Sequence, residues 1–75
     1  MIEPAQIRMA RAGLDWNARD LAQAAGIAPN TVTRYEGGID VMVDTLRKME
    51  KALEKGGVIF IPRDANGGPG VRLKR

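Results

Sequence analysis

The chain has 75 residues, enough for one small domain with a modest core. It has no histidine, cysteine or serine, so the usual proton shuttle, the two commonest nucleophiles, disulfides and thiolate metal sites are all missing. A formal net charge of +3 and a pI near 9.8 favour a polyanionic partner.

The elements follow in chain order. Met1 to Arg11 alternates apolar and charged residues and lacks the apolar run of a signal peptide. Pro4 suits the first turn of a helix, and Ile7, Ala10 and Leu14 continue it at helical spacing. Gly13 sits near its expected end. Asn17 predicts an N-cap for a second helix, with Asp20 close to a capping-box position. Leu21, Ala22 and Ala25 form its buried face, and Gly26 offers the left-handed conformation of a sharp turn. A third helix is predicted from Pro29, capped by Ala28 and ended by Gly37 and Gly38. Val32 and Tyr35 point inward there, while Asn30, Thr31, Thr33 and Arg34 point outward. Asp40 or Asp44 caps a fourth helix reaching about Lys55, with Leu46, Met49 and Leu53 inside. Arg47, Lys48, Lys51 and Lys55 read as its solvated face, and Trp16 as a half-buried packing residue.

The last third changes character. Val58-Ile59-Phe60-Ile61 is β-branched and aromatic and predicts a strand that Pro62 stops. Asp64 to Gly70 is turn-rich and lacks the residue order of a phosphate loop. Val71-Arg72-Leu73-Lys74 alternates apolar and basic residues, as a half-exposed edge strand does. These strands pair either within one chain or across two. Two strands alone are marginal, so pairing across two chains is preferred. Val58, Ile59, Phe60, Ile61, Val71 and Leu73 would then form a dimer seam. Arg72, Lys74 and Arg75 are alternatively a basic tail for the DNA backbone. The expected organisation is residues 1–57 as the helical unit and 58–75 as a strand extension of the same compact domain.

The informative segment runs from Asn17 to Glu36. Two short helices meet at Gly26, and the second presents a polar face with one arginine, the type of surface a major groove requires. The pattern Leu21-Ala22, Ala25-Gly26-Ile27, Thr31-Val32, Arg34-Tyr35-Glu36 and Gly38 resembles the helix-turn-helix of the phage Cro and repressor class, the XRE family. The resemblance covers about residues 4 to 55. It implies a mainly α, four-helix lambda-repressor-like domain, here with a short C-terminal β-element. It implies that Asn30, Thr31 and Arg34 face base edges and that Thr33 touches a base or a phosphate. It places Asn17 and Arg19, with Pro29 at the start of the recognition helix, against phosphate. It also implies an ion pair between Arg11 and Glu36 that orients the recognition helix. Two departures stand out: Ala18 replaces the family's glutamine after the cap, and Ala28 replaces its serine or threonine cap.

The expected function is therefore sequence-specific control of transcription, most simply repression, by a cytoplasmic homodimer on double-stranded DNA. No enzyme activity, metal, cofactor, small-molecule ligand or membrane association is expected. The alternative is a protein-interaction module, an antitoxin or assembly partner, that keeps the fold with weak DNA affinity. Ala18 and Ala28 favour that alternative; the polar, arginine-bearing helix face and the basic pI favour DNA.

Overall fold

A computed structural model describes residues 1–74. It contains α1 (Pro4–Leu14), α2 (Ala18–Ala25), α3 (Pro29–Glu36), α4 (Val43–Lys55), β1 (Val58–Ile61) and β2 (Gly70–Leu73). The mainly helical architecture agrees with the sequence expectation, and Arg75 lies outside the described residues.

The helices converge on one core. Ile7, Leu21, Val32, Met49, Leu53 and Val58 are fully buried, so every helix and the first strand contribute to it. Ile2 and Leu46 join them, and Ala10, Ala22 and Ala52 let neighbouring backbones come close. Leu14, Trp16, Ile27 and Tyr35 pack around its rim, half-buried.

Several boundaries have clear local causes. Asn17 caps α2 by accepting the Asp20 amide at 2.7 Å, and Asp20 returns the bond by accepting the Asn17 amide at 3.0 Å. Gly26 closes α2 with φ of 73°, the left-handed turn that aims α3 away from α2. Gly13 does not end α1; the helix continues to Leu14 and closes on Asp15 at φ 59°. The absence of a side chain at Gly13 serves packing instead. A Cβ there would lie 3.1 Å from a Leu73 methyl, so this glycine lets β2 approach α1. Neither Asp40 nor Asp44 caps α4. Met42 holds that position without a side-chain bond, and Asp44 sits inside the first turn, where its charge faces the positive helix end.

The strands pair with each other, antiparallel, within one chain: Val58 faces Leu73, Ile59 faces Arg72, Phe60 faces Val71 and Ile61 faces Gly70. This corrects the preference for pairing across two chains. The physical reason is an anchor in α1. The Gln6 side chain is buried, and its amide nitrogen donates to the Ile61 carbonyl at 3.0 Å and the Gly70 carbonyl at 3.1 Å. The hairpin therefore packs on α1 and does not stand alone. Its long loop is tightened by a turn in which the Asp64 amide donates to the Gly67 carbonyl at 3.0 Å. The ion pair between Arg63 and Glu3 fastens the loop to the chain start.

Candidate nucleic-acid interface

The N-termini of α2 and α3 open onto the same side of the molecule. Between them lies an open depression of about 380 Å³ lined by Asn17, Ala18, Arg19, Pro29, Asn30 and Thr33. Both helices direct the positive ends of their dipoles toward it. Arg19 adds a full positive charge and forms no ion pair among the described residues.

Each expected site residue has a definite place. Asn30, Thr33 and Arg34 are exposed on α3, while Thr31 is half-buried. Arg34 also lacks an ion-pair partner among the described residues, so its guanidinium is free to meet a base edge. The Thr33 hydroxyl donates to the Asn30 carbonyl at 3.0 Å, which leaves only its lone pairs for an outside donor. Asn17 does two things at once. Its carbonyl oxygen is taken by the Asp20 amide, and its NH₂ group remains free to donate outward. Capping and phosphate contact are therefore compatible in this one side chain. Pro29 borders the depression but has no N–H, so it contributes surface and no donor.

The absent cap at Ala28 has a visible consequence. Its backbone is extended, at φ −74° and ψ 142°, yet no side chain satisfies the first amides of α3. The amino end of α3 is thus left open toward the depression.

The carboxyl end of α3 is held firmly. Arg11 and Glu36 form a two-pronged pair, Nε to Oε2 at 2.6 Å and Nη2 to Oε1 at 2.7 Å. The third Arg11 nitrogen donates to the Trp16 carbonyl at 3.0 Å, so the same guanidinium also fixes the turn before α2. The hydrogen bonds and charge of Glu36 raise the Arg11 pKa, with partial burial opposing. Sequence reasoning did not reveal three further contacts. The Tyr35 hydroxyl donates to the Ile2 carbonyl at 2.7 Å. Arg8 donates to the Glu36 carbonyl. Gln6 carries the hairpin, as described above. Only Gln6 left a legible trace: it lies four residues before Ala10, on the buried side of α1.

The apolar strand residues divide by face. Val58 is buried in the core, Leu73 rests against Gly13 yet stays 38% exposed, and Ile59 and Ile61 are 43% and 37% exposed on the opposite face. Among the described residues, no three metal-binding side chains cluster and no helix is long and apolar enough to cross a membrane.

Two short helices joined by a tight turn, the second exposing a polar face beside an electropositive depression, define a helix-turn-helix domain built for nucleic acid. A family profile described as "Helix-turn-helix" matches residues 7–58. The chain belongs to this Cro/C1-type, XRE family of DNA-binding regulators. A search of curated proteins found no significant match.

Proposed function

We propose that this chain is a sequence-specific repressor that inserts α3 into the major groove of double-stranded DNA. The observation that carries the reading is the exposed Arg34, without an ion-pair partner among the described residues, on the same helix face as Asn30 and Thr33 and next to the depression flanked by Asn17 and Arg19. Asn30, Thr31 and Arg34 read base edges, and Thr33 accepts from a base or lies along the backbone. The Asn17 amide, Arg19 and the surface of Pro29 set the register against phosphate. Repression follows from occupying a promoter, which places the protein in the cytoplasm with the DNA.

The protein acts as a homodimer reading two half-sites about 34 Å apart. Val58, Ile59, Phe60, Ile61, Val71 and Leu73 belong to the hairpin that forms its seam. Within the seam, Ile59, Ile61 and Leu73 are the side chains with surface left to meet a partner, because Val58, Phe60 and Val71 pack on their own core.

The test is selection of bound duplexes from a random library at near-physiological salt. A two-fold symmetric enriched site supports both dimer and sequence reading, and an asymmetric site removes the dimer. Weak, salt-sensitive binding without enrichment removes sequence reading. That last result would favour the protein-interaction alternative, for which the open amino end of α3 is the relevant observation. Arg34→Ala should cost about 1–3 kcal/mol on the selected site and relax preference at one position. An equal loss on all duplexes would show a phosphate contact instead.

A further inference from the structure

We propose that Arg8 is a positioning residue for α3, a second guanidinium that works with Arg11 to fix the angle at which this helix is presented. The structural part stands on the geometry alone, and its consequence for DNA rests on the reading given above.

The last four carbonyls of a helix need donors from outside it. In α3 the Gly37 amide serves Thr33 at 3.0 Å and Arg34 at 3.2 Å. The Ile39 amide also serves Arg34, and the Gly38 amide serves Tyr35, each at 3.0 Å. Among the described residues, the Glu36 carbonyl receives no backbone donor, and Arg8 Nη1 supplies the bond. The donor is a full cation, so it also offsets the negative end of the helix dipole. Arg8 and Arg11 are three residues apart and share one side of α1. One grips the backbone of Glu36 and the other its carboxylate. Arg8 adds a hold on the Glu36 backbone to the two-pronged side-chain pair and to the Tyr35 hydroxyl bond to Ile2, and the added hold narrows the rotation left to α3.

The leverage is large because the two ends of α3 differ. Its carboxyl end is clamped and its amino end is free of any side-chain cap. Eight residues span about 12 Å. Asn30 lies about 9 Å from Glu36, so a swivel of about 5° at the clamp moves it by about 0.8 Å, more than the roughly 0.5 Å window of a good hydrogen bond. Loosening the clamp should degrade base reading at the far end and leave phosphate attraction unchanged.

The experiment compares the full chain with Arg8→Ala and Arg8→Lys. Arg8 is exposed, so both variants are expected to fold. Amide exchange is read first, without DNA: Arg8→Ala should accelerate exchange at Gly37, Gly38 and Ile39 and leave α2 and α4 unchanged. Affinities for the selected duplex and for single-mismatch duplexes are then measured over a salt series. Arg8→Ala should lower discrimination about three- to tenfold with an unchanged salt slope, and Arg8→Lys should recover part of it. Unchanged exchange overturns the clamp. Equal weakening on every duplex with a slope lower by about 0.9 overturns positioning and makes Arg8 a phosphate ligand. If the unaltered chain shows no discrimination, the DNA reading fails on its own, and the exchange result still decides the clamp.

Discussion

Gln6 offers the most direct test of how the hairpin is held. Gln6→Met keeps the length and much of the volume of the side chain and removes its amide. Three hydrogen bonds are lost: those to the Ile61 and Gly70 carbonyls, and the one from the Glu3 amide to Gln6 Oε1 at 2.7 Å. At about 0.5–1.5 kcal/mol each, the sum is about 1.5–4.5 kcal/mol. Ile61 and Gly70 remain register partners in the antiparallel pair, so their carbonyls are not left bare. The Glu3 amide has no such reserve. The lower half of the range therefore applies, about 2 kcal/mol. A domain of this size has about 4–11 kcal/mol in total, so the change removes a substantial share. In thermal unfolding, 1 kcal/mol corresponds to about 4–8 °C for a domain of 60–100 residues, giving a fall of about 8–16 °C. Amide exchange in β1 and β2 should rise more than in α2 or α3. A loss below about 0.5 kcal/mol, or exchange that rises evenly across the chain, would refute the anchor.

Other consequences can be checked with the same equipment. Ala28 already has the extended backbone of a cap, so Ala28→Ser should add about 1 kcal/mol in urea unfolding by satisfying a first-turn amide of α3. A double-mutant cycle on Arg11 and Glu36 should give a coupling of about 1–2 kcal/mol, above that of exposed pairs, because both side chains are largely covered and bonded at two points. A value below about 0.5 kcal/mol would make the pair ornamental. Tyr35 has its pKa raised, mainly by burial and further by the nearby carboxylates of Asp40 and Glu3. The folded state thus holds the phenol proton more tightly than the unfolded chain. That contribution is complete below about pH 10 and is lost as pH rises through the folded pKa. Tyr35 is the sole tyrosine, so phenolate absorbance reports it directly, and Tyr35→Phe should flatten the alkaline fall in stability.

Short-range signals in this sequence were the legible ones. Asn17, Asp20, Gly26 and Pro29 act through bonds or backbone angles within a few residues, and the structure places all four as their chemistry requires. Helical spacing likewise identified Ile7, Ala10, Leu21, Val32, Leu46, Met49 and Leu53 as core. Expectations fell short where a residue answers to something distant. Gly13 lies near the end of α1 as expected, but its missing side chain answers to Leu73, sixty positions later, which occupies the space. Asp40 and Asp44 read locally as caps, but the packing of Leu46 and Met49 sets where α4 begins. The strands read as a marginal pair in want of a partner because their support, the buried Gln6 and the α1 surface around Gly13, sits at the other end of the chain.

The same distinction applies to the candidate interface. The outward residues of α3 were legible because helical periodicity alone decides which side they occupy. The means of holding α3 in place were only half legible. The Arg11–Glu36 pair followed from a family pattern, yet Arg8 and Tyr35 bind backbone carbonyls, which every residue has and no sequence marks. All these tethers grip the carboxyl end of α3, and none grips its amino end. A helix built only for packing would gain about 1 kcal/mol from a cap at Ala28. Leaving that end open forgoes the gain and leaves one first-turn donor, the Asn30 amide, since Pro29 has no N–H and the Thr31 amide donates to the Ala28 carbonyl at 3.1 Å. The uncapped end makes one further demand. Ala28→Ser should stabilise the free protein and strengthen DNA binding, since it restores the serine or threonine that the family pattern carries at this cap. Stabilisation with unchanged DNA affinity would show that the open end has no part in recognition.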